Sequence, residues 1–127
     1  MTNPRSWLEF AREDSRMAEL AFEDVIYTQA WFHAQQCVEK ALKAACLDRG
    51  LAIRKTHSID ELTQRLQRAG VLPILTDEES ALLDTIYLPS KYPLGSVLPD
   101  YEPDRAVAQQ CYSLAERTLC EVSKMIG

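Results

Sequence analysis

The sequence predicts an all-α fold: an up-and-down helical bundle of four main helices plus one short helix, with residues 1–127 forming a single domain. Three observations predict it. Apolar residues recur at alternating spacings of three and four through the long segments, capping residues stand just outside those segments, and no stretch alternates apolar and polar residues as a strand would. A hydrophobic content of 46% with 26% charged residues is that of a chain able to build one packed core.

Asn3 followed by Pro4 places a capping side chain before a proline at the first helical position, so the first helix is predicted from Pro4 to about Phe22. Trp7, Phe10, Ala11, Ala18 and Ala21 form its apolar face, and Asp14 intrudes on that face. A carboxylate there needs a partner, and a single acid with no recognisable second group makes no catalytic site.

In the second helix Tyr27, Ala30, Trp31, Ala34, Val38, Ala41, Leu42 and Ala45 share one face, and Gly50 follows as a C-terminal cap. The opposite face carries Phe32, Gln36, Lys40, Lys43 and Leu47 together. A solvated face rarely mixes large apolar residues with cations, so this one should meet another helix of the chain or a second subunit, with Phe32, Gln36 and Leu47 as the interface candidates.

Ser58-x-x-Glu61 and Thr76-x-x-Glu79 each have the capping-box pattern. The first opens a third helix through Ile59, Leu62 and Leu66, stopped at Gly70, and the second opens a fourth through Leu82, Leu83 and Ile86. Pro89 and Pro93 then disfavour helix, and Gly95 and Pro99 prolong an irregular stretch long enough to suggest function. From Pro103 a last helix runs to about Ile126 on the stripe Val107, Cys111, Leu114, Thr118, Val122 and Met125.

The amino terminus mixes Asn3, Pro4, Arg5 and Glu9 among its apolar residues, which a signal peptide does not. No apolar stretch approaches the roughly 20 residues that cross a bilayer. A cytoplasmic location without membrane contact is expected. Cys37 and Cys46, like Cys111 and Cys120, stand nine residues apart, on opposite faces of a helix, so neither pair can share a disulfide or a metal. All four are expected as buried, reduced thiols. His33 and Cys37 share a face, but two ligands fall short of the four that structural zinc usually takes, and no metal or other cofactor is predicted.

The net charge of -5 argues against a surface that binds nucleic acid everywhere. Yet from Lys40 to His57 five cations, Lys40, Lys43, Arg49, Arg54 and Lys55, face one acid, Asp48. An anionic partner should dock there, although cations near a helix C-terminus also complement its dipole. Common catalytic patterns are missing: there is no glycine-rich phosphate loop, no Gly-x-Ser-x-Gly and no His-Glu-x-x-His.

Three segments remain: Phe32-His-Ala-Gln-Gln-Cys-Val-Glu-Lys-Ala-Leu-Lys-Ala44, Thr56-His-Ser-Ile-Asp-Glu-Leu62 and Tyr87-Leu-Pro-Ser-Lys-Tyr-Pro93. In that order on a helical chain they resemble the HEPN domain family. The resemblance implies a homodimeric helical domain, in prokaryotes often encoded beside a minimal nucleotidyltransferase and paired with it in a toxin–antitoxin-like system. Some relatives bind nucleotides. Others are metal-independent ribonucleases that carry an Arg, about four to six residues of any kind, and then a His. Here His57 follows Arg54 by three residues and Arg49 by eight, so that signature is missing. Lys91 stands where many relatives have Arg, and an ammonium cannot reproduce the guanidinium fork.

The expected function is therefore a nucleotide- or RNA- and partner-binding module. Lys40, Lys43, Lys55, His57 and Lys91 would meet phosphate, and Tyr87, Tyr92 and Tyr101 would stack a base or pin their loop. His57 has two roles open to it: a hydrogen bond to an amide at the start of the third helix, or a place beside Lys55 in an anion site. The alternatives are a ribonuclease with a degenerate Arg/His site around His57, and a structural partner subunit that touches no nucleotide.

Overall fold

A computed structural model describes residues 3–86 and 103–126, and among these it contains five helices and no strand. They are α1 (Pro4–Glu23), α2 (Tyr27–Asp48), α3 (Ile59–Arg68), α4 (Asp77–Asp84) and α5 (Arg105–Ile126). Three long helices carry the bundle. α1 and α2 form a helical hairpin, and α5 packs on both, with Arg105 over the Phe22 ring and Tyr112 beside Glu19 setting it antiparallel to α1. α3 and α4 close the remaining side of α2.

The predicted start signals act as capping chemistry. Asn3 accepts from the amide of Ser6 at 2.8 Å, Ser58 from Glu61 at 3.1 Å, and Thr76 and Glu79 complete a reciprocal capping box. The Asp84 carboxylate adds a cap from outside the third helix, accepting from the amides of Ile59 at 2.7 Å and Asp60 at 3.2 Å. Glu79 does a second job. Its carboxylate takes both arms of Arg117, at 2.9 and 2.7 Å, which ties α4 to α5 and holds the Glu79 carboxyl below the ordinary carboxylate range.

α2 is the spine. From Ala34 to Cys46 every residue but Gln36 and Lys40 is buried, because α1, α5, α3 and α4 surround it. The predicted stripes of α3 and α5 are buried too, with Val107 and Met125 half-buried at the ends of the α5 stripe. Two expectations need correction. Phe10 is 41% exposed and Leu8 takes the core position instead, since Leu8 lies a turn before Ala11 on the inward side of α1. Cys120 is exposed as well, because it lies nine residues from the buried Cys111, on the opposite face of a helix with one free side. The other three cysteines are buried, and burial pushes the Cys37 and Cys111 thiols up to about 12.

Three helices end in the same Schellman pattern. After α2, Gly50 donates to Leu47 and Leu51 to Cys46; after α3, Gly70 donates to Gln67 and Val71 to Leu66; after α1, Val25 donates to Phe22 and Ile26 to Ala21. The pattern needs a left-handed residue in its penultimate place. Gly50 and Gly70 suit it at φ +76° and +90°, but after α1 the place is held by Val25 at φ +63°. That region costs a β-branched residue on the order of 1–3 kcal/mol, against about 0.5–1 kcal/mol for the extra freedom of an unfolded glycine. Val25→Gly should therefore raise unfolding stability by roughly 1 kcal/mol in denaturant titration. An unchanged or lower midpoint would show that the turn is unstrained.

Candidate anion-binding site

The cations of α2 turn inward. Lys43 is buried and donates to the Glu39 carboxylate at 3.0 Å, one helical turn away, while its ammonium lies 5.6 Å from the centre of the Trp7 ring. Glu39 is buried as well and also meets the imidazole Nδ1 of His57 at 3.1 Å. The backbone carbonyl of His57 accepts from the buried Gln35 at 3.0 Å, so both ends of this residue are tied to α2. Lys40 donates to Asp14 at 2.5 Å, and the second oxygen of Asp14 lies 2.9 Å from Nδ1 of His33. Asp14 thus finds the partners that its place on the apolar face demands.

Each of these carboxylates joins one lysine and one histidine, and the two histidines are the only ones in the chain. The sequence count that made Lys40 to His57 a cationic run stopped one residue short of Glu39, and Asp14 lay on another helix. Of the phosphate candidates named from sequence, Lys40 and Lys43 are committed to carboxylates and His57 is oriented by one. Lys55 alone is exposed with no carboxylate within ion-pair distance among the described residues. Tyr87, Lys91, Tyr92 and Tyr101 lie outside the described residues.

Uncompensated positive charge collects instead where α2 ends and α3 ends. Leu51, Arg54, Arg65, Arg68 and Ala69 line an open concavity of about 230 Å³. Arg54 has a loose contact with Glu61 at 3.8 Å, whereas Arg49, Arg65 and Arg68 have no carboxylate within reach among the described residues. Arg65 is half-buried, and its Nη1 is shut off from water without a hydrogen-bond partner among those residues. Arg65 and Arg68 escaped the sequence reading. Their signal was an arginine pair three apart in the last turn of a helix stopped by Gly70, which equally suits the helix dipole.

Of the interface candidates, Phe32 packs against the core of its own bundle and sets its edge on the His33 ring at 5.3 Å. Gln36 donates to the side chain of Gln35 at 2.9 Å, and Leu47 is half-buried. More exposed apolar side chains lie on α1 and its turn: Phe10, Met17, Leu20, Val25 and Ile26. His33 and Cys37 do not converge on a metal, since His33 faces Asp14 and the Cys37 thiol faces the Ala115 carbonyl at 3.9 Å. Among the described residues no group of three ligand-type side chains could hold one.

The buried pair on α2 makes a testable energetic claim. Removing one partner strands a charge in the core, so Glu39→Ala should cost about 3 kcal/mol or more of stability. Glu39→Leu combined with Lys43→Met keeps the volume and removes both charges, and should recover most of that loss. Denaturant titration of the single and double variants decides it; equal losses would mean that the Lys43 ammonium already reaches water.

Comparison with known proteins agrees with this architecture. The family model described as HEPN domain matches residues 4–125. No curated protein matches the chain. Among solved structures, TT1696 from Thermus thermophilus is 33% identical, with 98% of each chain covered and a TM-score of 0.80. ST0689, described as an archaeal HEPN homologue, is 29% identical over 100% of each chain with a TM-score of 0.74. A match over nearly the whole length of this helical bundle means that the chain belongs to the HEPN domain family.

Proposed function

We propose that this protein is a HEPN-type module that binds a nucleotide or RNA together with protein partners: a second copy of itself and a minimal nucleotidyltransferase, in a toxin–antitoxin-like pair. One observation carries the ligand half of this reading. On a chain of net charge -5, Arg49, Lys55, Arg65 and Arg68, four cations with no carboxylate at ion-pair distance among the described residues, belong with Arg54 to the α2–α3 end of the bundle. Phosphate is the abundant biological anion that such a concentration of guanidinium suits.

The exposed apolar residues of α1 support the partner half, since Phe10, Met17 and Leu20 recur at helical spacing and Ile26 extends their row across the turn. Capture replaces chemistry in this account. The cations hold the anion, the α1 face holds protein, and no bond need be broken. A cytoplasmic setting fits such a partner, and no described helix is long and apolar enough to cross a membrane.

The ribonuclease alternative draws on a different observation, the Glu39 carboxylate that orients the exposed imidazole of His57. A base held in that way can take a proton from a hydroxyl. Against it stands the missing Arg-to-His spacing of the active relatives.

Two measurements test the proposal. Labelled single-stranded RNA and ATP should bind, and with three or four phosphate contacts affinity should fall roughly tenfold or more between about 50 and about 200 mM salt. RNA incubated with wild type should remain as intact as with His57→Ala. Cleavage abolished by that substitution would replace this reading with the ribonuclease one, and absence of binding at low salt would leave a structural partner subunit.

A further inference from the structure

We infer that the concavity formed by Leu51, Arg54, Arg65, Arg68 and Ala69 is a site for the phosphate chain of a nucleoside polyphosphate or of an RNA 5′ end, recognised by its charge and not by its base. This rests on the binding function proposed above and assigns it a place and a ligand chemistry.

Three guanidinium side chains border one hollow of about 230 Å³. The hollow is local, bordered by five residues. Each guanidinium offers a planar fork that matches two phosphate oxygens at once, so three of them suit an anion with many oxygens close together. No aromatic side chain lines the hollow among the described residues; its apolar lining is Leu51 and Ala69. A base has nothing to stack on there, and selectivity must come from the number and spacing of phosphates.

The site is also held in shape. Leu51 and Ala69 belong to the Schellman turns that end α2 and α3, with Leu51 donating to Cys46 at 2.9 Å and Ala69 to Arg65 at 3.2 Å. Arg65 starts half-buried, so little freedom remains for it to lose on binding. Arg54 comes from the α2–α3 connection, and its contact with Glu61 at 3.8 Å is between exposed groups and easily exchanged. The two helix C-termini place a partial negative charge of about half a unit each nearby, which three full positive charges outweigh.

The experiment is displacement of labelled ATP from the full chain at low salt. Unlabelled ATP, GTP and inorganic tripolyphosphate should compete within about threefold of one another, while adenosine should not compete at a hundredfold excess. Arg65→Ala and Arg68→Ala should each weaken ATP at least about tenfold, with helical circular dichroism unchanged, and Arg65→Lys should fall between. An RNA bearing a 5′-triphosphate should bind more tightly than the same RNA with a 5′-hydroxyl. If that RNA outcompetes ATP, the RNA end is the source of the phosphate chain; if ATP matches it, the free nucleotide suffices. Competition by adenosine, equal binding of the two RNAs, or full ATP affinity in both arginine variants would overturn this site while leaving the binding function in place. No binding of ATP or either RNA by wild type would remove both.

Discussion

The burial of α2 on almost every side is the constraint from which the rest of the molecule follows. A helix surrounded by α1, α5, α3 and α4 has little solvated face on which to place its charged residues. Glu39, Lys40 and Lys43 therefore need partners inside the bundle, and the partners chosen dictate the packing. Lys43 pairs with Glu39 beneath Trp7 of α1, Lys40 with Asp14 of α1, and Glu39 and Gln35 reach His57 at the end of the connection, just before α3. These contacts fix where α1 lies and where the α2–α3 connection returns to the bundle. Buried pairs of this kind add little net stability over apolar residues, but each strongly disfavours any packing that would separate its members.

The same constraint sorts the cations by role. Those within the span of α2 are consumed by structure, while those of the α2–α3 connection and the end of α3 are not. Arg54 and Lys55 sit in the connection and Arg65 and Arg68 in the last turns of α3, beyond the reach of the acids that serve the core. The segregation lets an acidic chain keep a small region of positive potential. It also separates the two proposed tasks in space, with anion binding at the α2–α3 end and protein contact along the outer face of α1.

Much of this was legible in the sequence because it depends on neighbours a few residues apart. Asn3-Pro4, the two capping boxes and the glycines at 50 and 70 set helix ends through bonds that span three to five residues, and the apolar periods set which faces go inward. What escaped depended on distance along the chain. Lys40 meets Asp14 across 26 positions and His57 meets Glu39 across 18, so a count of charges in a window could not see that the window's lysines were already neutralised. Arg65 and Arg68 were overlooked for the converse reason: two cations closing a helix satisfy its dipole, and only the return of the chain from α2 through Arg54 makes them part of a concave site. Val25 in a left-handed turn had no sequence signal, since valine is among the residues least suited to that conformation.

Family membership explains the fold and leaves the chemistry to particular residues, because one fold supports many functions. The central claim here is that the lysines of α2 are structural and the arginines around the α2–α3 end meet the ligand. Nuclear magnetic resonance of side-chain nitrogens tests it directly, by following the guanidinium Nε and ammonium Nζ signals while inorganic tripolyphosphate is added. The account predicts that the signals of Arg54, Arg65 and Arg68 shift together and saturably while those of Lys40 and Lys43 stay in place. Saturable shifts at Lys40 and Lys43 with the three arginines unmoved would contradict it.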